Sequence, residues 1–375
     1  MKNNKKNIPS YWIYVIVIGT VLGVALGLWL GSPLNEEGLQ MNLDTVWHIL
    51  LWVLFATLLH ECGHLIAGFL SGYRFISFRL LNIAVVKING SYKFQWQKMN
   101  GGIGQCLMAP NFEYRDNFPF VFYNMGGVFM NTALIIVCLA LFVFNGGVNK
   151  SFLLSGILVN FVFALMNALP LKAFANDGFM VKTVSKTQAC KKAYYTQLAA
   201  TADMLDGKTF SQMSEKFFDF GVQDAQYPLV CNALYMQYCF LVSKGQSGAA
   251  SNFIKELFEN KNVMPENYAN TVCVEYFNNL VLFKDDRHTA ALVYNDFDIT
   301  VKNAVSRLPA SFTLIAKICV NMLSKHDDRQ YAVDCMLVQK LLEHMPNKAE
   351  AEYLSTLFSC AKQRYRQAEP SPFEI

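Results

Sequence analysis

The chain is short of charged residues. Only 16% of its 375 residues are Asp, Glu, Lys or Arg, whereas a soluble globular domain carries about a quarter. Hydrophobic residues make up 53%, and the long apolar runs lie almost entirely before residue 172, while charged residues crowd the sequence after it. This division predicts an α-helical membrane part followed by a soluble part of roughly 200 residues that can bury its own core.

Two further absences exclude classes of protein. The net charge is only +4 and no block of lysine and arginine occurs, which argues against nucleic acid as a partner. None of the ten cysteines forms a Cys-x-x-Cys pair, so we expect buried thiols in a reducing compartment and no disulfide framework. The soluble part is therefore expected in the cytosol.

Four apolar stretches are long enough to cross about 30 Å of hydrocarbon as helices. They run from about residue 11 to 30, 46 to 70, 118 to 144 and 151 to 171. The first follows three lysines, as the apolar part of a signal peptide does. It is too long for one and lacks a good cleavage site, so we interpret it as a retained transmembrane anchor.

Charged residues in the loops orient the chain. Residues 32–45 contain acidic but no basic residues, whereas residues 71–117 contain six lysines and arginines. By the positive-inside rule, the N-terminus, the 71–117 loop and the C-terminal part lie in the cytosol.

The 71–117 loop contains a hairpin signal. Asn89-Gly90 separates two runs rich in β-branched and aromatic residues, and both positions of such a turn need a positive φ. We predict a small β-sheet insertion here, with a solvated loop as the alternative. We also expect the 75–94 hairpin to pair with an unwound substrate segment.

Three segments of the C-terminal part resemble one another: 234–257, 276–297 and 318–341. In each, an apolar helix ends at a lysine, a polar turn follows, and a second helix begins. The lysines recur at intervals of about 40 residues, which is typical of stacked helical hairpins of the tetratricopeptide kind. A plain helical bundle is the alternative, and either could bind a cytosolic partner.

The second apolar stretch contains His60-Glu61-Cys62-Gly63-His64, an HExxH motif. On a helix, positions i and i+4 share a face, so both imidazoles can bind one Zn²⁺ while Glu61 acts as general base. Ionisable residues inside an apolar span are costly, so their presence favours a functional site over two buried structural histidines.

A zinc hydrolase needs a third protein ligand. His48 lies too far along the same helix, and the other histidines scatter through the soluble part, so a carboxylate is needed. The candidate is Asp177, although Asp-Gly alone is more typical of a turn. Pro170 breaks the fourth stretch and Gly178 lets the backbone turn, so the segment can fold back to present Asp177. The glycine-rich stretch 101–110 predicts either tight turns or a re-entrant approach to this site.

These residues resemble those of the site-2 protease family of intramembrane metalloproteases. HExxH at 60–64 is followed by Gly127-Val128-Phe129-Met130-Asn131, which is similar to the family's Gly-Pro-x-x-Asn motif with valine in the proline position. Asn167-Ala168-Leu169-Pro170 with Asp177-Gly178 is similar to its Asn-x-x-Pro…Asp-Gly element. The resemblance covers residues 46–180.

The resemblance implies a three-helix catalytic core, preceded here by an extra helix. The implied site residues are the zinc ligands His60, His64 and Asp177, the catalytic Glu61, and Asn131 and Asn167 near the substrate. The implied substrate is a membrane-embedded peptide, single-span protein or signal-peptide remnant, and the implied location is a bacterial cell membrane.

The resulting organisation is an anchor and outer loop at 1–45, a membrane metalloprotease core at 46–180 and a cytosolic helical domain at 181–375. The alternative is a catalytically inactive scaffold that binds partners through the helical domain, although a scaffold has no use for Glu61. A transporter with a structural metal would show internal symmetry, which is absent. A prenyl-protein-processing protease would use a downstream glutamate as third ligand, whereas this chain offers Asp177.

Overall fold

The computed structural model describes residues 36–97, 102–144, 147–171, 176–307, 311–324 and 326–367. The described residues up to Lys186, apart from the turn Ile88–Ser91, form one compact unit, here called the first unit. That turn and the described residues from Thr187 form the other, here called the helical unit. The anchor expected at about 11–30 lies outside the described residues.

Three helices of the first unit are long and apolar enough to cross a membrane: α1 (Glu36–Leu70), α2 (Phe120–Val143) and α3 (Lys150–Ala168). The apolar part of α1 has 27 residues, which is about 40 Å of helix. The helices predicted at 46–70, 118–144 and 151–171 are therefore confirmed. These helices carry large exposed apolar side chains: Leu50, Phe55, Phe69, Phe122, Phe129, Ile136, Val137 and Phe161.

Small residues let these helices approach closely. Gly63 of α1 lies against Gly126 of α2, and a Cβ on either would overlap the carbonyl oxygen of the other. Gly156 of α3 lies against the indole of Trp52. Such contacts between small residues are a common basis of helix packing in membranes.

The ends of the helices follow local sequence signals. α1 gives way to Gly72, whose φ of +80° suits glycine. α3 begins after Asn149, whose side chain accepts hydrogen bonds from the N–H groups of Ser151 and Phe152. It ends at Ala168, before Pro170.

A four-stranded antiparallel sheet connects α1 to α2: β1 (Tyr73–Leu80), β2 (Ile83–Ile88), β3 (Ser91–Trp96) and β4 (Gly104–Pro110). Its strand order is β3-β2-β1-β4. The predicted hairpin is confirmed, with Asn89 and Gly90 at φ +50° and +78°. β4 pairs with β1 around an irregularity between Phe75 and Ser77, so β3 and β4 form the two edges of the sheet.

A short helix, α4 (Asp177–Val184), follows α3 in the first unit. The helical unit then contains α5 (Gln188–Leu205), α6 (Pro228–Ser243), α7 (Ser247–Glu259), α8 (Glu266–Asn279), α9 (Arg287–Asn295), α10 (Ile299–Arg307), α11 (Ser311–Leu323), α12 (Asp328–Glu343) and α13 (Lys348–Gln367). A π-helical turn, Leu280–Lys284, continues α8.

The helical content of the C-terminal part is as predicted. The three similar sequence segments correspond to the helix pairs α6–α7, α8–α9 and α11–α12, each joined by a short turn. Large side chains of these helices are fully buried, among them Leu234, Tyr238, Phe277 and Ile315. The assignment to a repeat family stays a prediction.

Candidate metal centre

His60 and His64 lie one turn apart on the same face of α1, as the HExxH spacing requires. Both side chains are buried, and their Nε2 atoms are 3.2 Å apart. Asp177 is the first residue of α4, near the C-terminal end of the first unit. Its Oδ2 atom lies 3.2 Å from His60 Nε2 and 3.4 Å from His64 Nε2.

These three residues could hold a metal ion. Their ligand atoms all lie within 4.8 Å of one another. Among the residues that the structure describes, no other three histidine, cysteine or acidic side chains come together in this way. The structure brings the three predicted ligands together, although Asp177 lies more than 110 positions after His64 along the chain.

Hydrogen bonds behind His60 fix which of its ring nitrogens carries the proton. The amide nitrogen of Asn160 donates to the Gly156 carbonyl at 2.8 Å, so the Asn160 Oδ1 is left as an acceptor. Asn131 Nδ2 donates to that oxygen at 2.8 Å. Asn131 Oδ1 therefore faces His60 Nδ1, at 2.6 Å, and accepts a hydrogen bond from the Nδ1–H group. The lone pair of His60 is on Nε2.

The same reasoning applies to His64. Its Nδ1 lies 3.0 Å from the backbone carbonyl oxygen of Tyr123, which can only accept a hydrogen bond. Nδ1 therefore carries the proton, and the lone pair lies on Nε2. Both lone pairs point toward Asp177 Oδ2, which has no hydrogen-bond partner among the described groups.

Asn131 and Asn160 are both fully buried in the helix interface. The resemblance placed Asn131 near the substrate; in the structure its Oδ1 lies 2.6 Å from His60 Nδ1, so it orients the ring of a candidate metal ligand. Asn160 was not singled out from the sequence. Its signal is a polar side chain in the middle of an apolar helix, where polar groups are retained for a partner.

Gly127 of α2 makes room for the imidazole ring of His60. A Cβ there would overlap the imidazole ring of His60, so only glycine lets α2 lie this close to the ring. Both ends of the Gly127…Asn131 motif therefore position His60: Gly127 leaves room for its ring, and Asn131 forms a hydrogen bond with its Nδ1.

Glu61 is buried beside the ligands but is not one of them. Strand β4 lies against it: a Cβ on Gly104 would be 2.6 Å from Glu61 Oε1, and the carboxylate accepts a hydrogen bond from the backbone of Cys106. Burial raises the pKa of the Cys106 thiol, which stays neutral. The part of the glycine-rich stretch that the structure describes therefore approaches the site as a strand.

Tyr123 connects the strand to the ligands. Its hydroxyl donates to the Cys106 carbonyl at 3.0 Å and accepts from the Met108 N–H at 3.2 Å. Its own backbone carbonyl holds His64. One residue of α2 therefore positions both His64, a candidate metal ligand, and strand β4.

Asn176 holds the segment that delivers Asp177. Its side chain accepts from the N–H groups of Phe179 and Leu171 at 3.0 and 3.3 Å, and donates to the carbonyls of Met166 and Leu169. These four bonds fasten the start of α4 to the end of α3, which positions the Asp177 carboxylate.

Gly178 acts differently from the sequence-based expectation. It is not among the glycines with a positive φ, so it does not supply a turn. It lies in the first turn of α4, where a Cβ would overlap the carbonyl of Ala168. Its small size, and not its backbone freedom, allows α4 to pack on α3.

Two other candidate residues make hydrogen bonds outside the group of three ligands. The Asn167 amide donates to the carbonyl of Phe163 in its own helix at 3.0 Å, and its predicted contact with substrate stays a prediction. His48 lies 3.3 Å from the Ser151 hydroxyl near the start of α3, consistent with its expected distance from the HExxH motif.

No protein-family model, curated protein or solved structure matches the chain. The geometry of the site is therefore the basis for a statement of function.

Proposed function

We propose that the chain is an intramembrane zinc metalloprotease of the site-2 protease type. It would hydrolyse peptide bonds within or beside transmembrane segments or signal-peptide remnants. The observation that carries the proposal is the convergence of three atoms with free lone pairs, His60 Nε2, His64 Nε2 and Asp177 Oδ2. Three such atoms repel one another unless a cation lies between them.

The spacing of these atoms supports zinc. Bonds of about 2.0–2.1 Å in a tetrahedral arrangement put ligand atoms about 3.3 Å apart. The separations in the site are 3.2, 3.2 and 3.4 Å. Two imidazoles and one carboxylate form the donor set of zinc hydrolases, whereas Mg²⁺ and Ca²⁺ prefer oxygen. Three protein ligands also leave the fourth position for water or substrate.

Glu61 is the general base in this proposal. Zinc at the site would supply a Lewis acid that acidifies water and polarises the scissile carbonyl. Glu61 takes a proton from the attacking water as the new C–O bond forms, and passes it to the amine as the C–N bond breaks. The Cys106 backbone and Gly104 hold its carboxylate in place.

The position of the site supports a substrate in the membrane. His64 is six residues and His60 ten residues from the end of α1 at Leu70, which is about 9 and 15 Å of helix. A substrate helix must unwind there before water can attack, and its freed backbone groups need partners. The edge strand β4, which lies at Glu61, is our candidate to provide them by strand pairing. The hairpin strand β3 occupies the opposite edge of the sheet.

The same proposal includes location and partners. We place the chain in a bacterial cell membrane as a multi-pass protein, with its N-terminus and helical unit in the cytosol. The positive charge of residues 71–117 supports this orientation. The helical unit would bind a cytosolic protein partner, as stacked helical hairpins do.

Cleavage by the purified chain tests the proposal. Wild type, loaded with zinc in detergent or vesicles, is incubated with a panel of transmembrane peptides. We expect cleavage by wild type and by the control Glu256→Gln, which alters an exposed glutamate of α7. Glu61→Gln should be slower by about a factor of 10²–10⁴. Equal rates for Glu61→Gln and wild type would contradict the assigned base, and zinc-loaded wild type without activity would favour the inactive scaffold.

A further inference from the structure

The helical unit buries a carboxylate that has no role in the metal centre. Glu275 lies on α8 with Asn278 and Asn279, three and four positions later, so the three side chains share one face of the helix. Their exposures are 0%, 0% and 1%. Burying three polar side chains together is costly unless each polar atom has a partner.

Only part of this cluster has partners. The hydroxyls of Tyr235 and Tyr353 donate to the same oxygen, Glu275 Oε1, at 3.2 and 2.7 Å. The other oxygen, Oε2, makes no hydrogen bond of ordinary geometry with a described group, although the Asn278 side chain lies near the carboxylate. Half of a buried carboxylate is thus left without a hydrogen bond.

The neighbouring amides show the same deficit. Asn278 Nδ2 donates to the carbonyl of Phe312 at 3.0 Å, but its Oδ1 has no described partner. Neither amide atom of Asn279 makes a hydrogen bond of ordinary geometry, and neither does the hydroxyl of the fully buried Tyr238, although the Asn279 amide and the Tyr353 hydroxyl lie close to that hydroxyl. Natural structures contain few such atoms, and a group of them indicates an ion or water between them.

Nothing in the described structure balances the charge of Glu275. The titratable groups that face it are Tyr235, Tyr238 and Cys239 from α6, Cys319 from α11 and Tyr353 from α13. Burial raises the pKa of each of them, so all are neutral at pH 7. No lysine or arginine among the described residues pairs with the carboxylate.

The backbone is also unusual at this point. Directly after Asn279 the helix widens into the π-helical turn Leu280–Lys284, which ends at Asp285 with a φ of +54°. π-helical turns are rare and are frequent at functional sites. The widened turn begins where the partnerless amide lies.

We propose that this cluster is a binding site for one small monovalent cation: K⁺, Na⁺ or NH₄⁺. Its ligands are the free oxygen atoms of Glu275, Asn278, Asn279 and Tyr238. One carboxylate balances a single positive charge, whereas Ca²⁺ and Mg²⁺ sites use more carboxylates or retain water. A water molecule in the cluster would not balance the negative charge of Glu275. A proton on Glu275 would form a hydrogen bond with only one neighbouring oxygen and would leave the other oxygens without a partner. The inference is independent of the proposed protease activity.

Hydrogen exchange of residues 266–284 in the intact 375-residue chain tests the proposal. The chain is compared above neutral pH in the chlorides of K⁺, Na⁺, NH₄⁺ and choline at equal ionic strength, because choline is too large for a buried site. We expect exchange about tenfold slower in at least one small cation than in choline, at a concentration ten times its Kd. Glu275→Gln should abolish the difference, and Glu266→Gln, an exposed glutamate of the same helix, should keep it.

Three results would overturn the proposal. Equal exchange in all four salts would show that no small cation binds. Exchange that depends on pH and not on the salt would assign protonation of Glu275 instead. A cation effect that survives in Glu275→Gln would place the bound cation elsewhere in the chain.

Discussion

At the scale of single residues, the site is defined by where protons and lone pairs lie. A backbone carbonyl can only accept a hydrogen bond. The Gly156 carbonyl orients the Asn160 amide, which orients Asn131, which orients the His60 ring. The Tyr123 carbonyl orients the His64 ring directly. The result is two Nε2 lone pairs directed at a carboxylate oxygen. An HExxH motif predicts two histidines on one face. The hydrogen bonds behind them leave the Nε2 atom of each histidine available to a metal ion.

Asn131 should therefore control metal affinity. Replacing it with alanine removes the acceptor that fixes His60 Nδ1–H, and loss of such a partner lowers metal affinity about 10–100-fold. Asn167→Ala is the matched control, since that amide donates within its own helix. Competition with a coloured zinc chelator measures both. Equal affinities for the two variants would contradict the role of Asn131.

Glu275 should make the stability of the helical unit depend on pH. Burial raises its pKa from the ordinary 4.5 to about 7, so between these values the folded chain binds a proton that the unfolded chain does not. The stabilisation contributed by Glu275 is therefore fully present below pH 4.5 and is lost as pH rises to about 7, by at most about 1.4 kcal/mol per pH unit.

The pH dependence due to Glu275 is measured in choline chloride, because the proposed small cation is then absent. Hydrogen exchange of residues 266–284, corrected for its intrinsic pH dependence, gives the opening free energy. Glu275→Gln should flatten the profile. Stability that rises with pH between 4.5 and 7 in wild type would contradict the sign.

At the scale of secondary structure elements, the long helices and the hairpin could be predicted because their signals are local. Apolar length indicates α1, α2 and α3, and Asn89-Gly90 fixes the β2–β3 turn. The pairing of β1 with β4 could not be predicted from the sequence, because the β2–β3 hairpin lies between these two strands. The role of Tyr123 was equally hidden, since its ligand-holding group is a backbone carbonyl that every residue has.

Strand β4 should affect catalysis without affecting metal binding. In Gly104→Ala the new Cβ would lie 2.6 Å from Glu61 Oε1 and displace the carboxylate. We expect cleavage slower by about 10²-fold, the size of effect that small misplacements of catalytic groups cause, with unchanged zinc content. Gly102→Ala, exposed two residues earlier, should cleave like wild type. Equal rates for both variants would contradict the assignment of β4 to the site.

At the scale of the whole molecule, the chain combines a unit with three helices apt for a membrane and a unit made of helices α5–α13. The sequence anticipated this division from the fall in hydropathy after residue 172. Its proposed orientation follows from loop charge alone.

Reporter fusions test that orientation. Alkaline phosphatase inserted in the turn between α2 and α3, after Gly147, should be active, because the enzyme needs export for activity. The same enzyme fused after Gln367, at the end of α13, should be inactive, and a fluorescent protein there should fold in the cytosol. The reverse pattern would contradict the proposed orientation.

The most direct test of the central claim is the zinc content of the purified chain, measured by mass spectrometry of the metal. We predict about one zinc per chain in wild type and in Glu61→Gln, whose altered side chain lies beside the ligands but binds no metal. Asp177→Ala, which removes one of three ligands, should lose most of it. Zinc held equally by Asp177→Ala and wild type, or absent from a wild type purified with zinc supplied, would contradict the account.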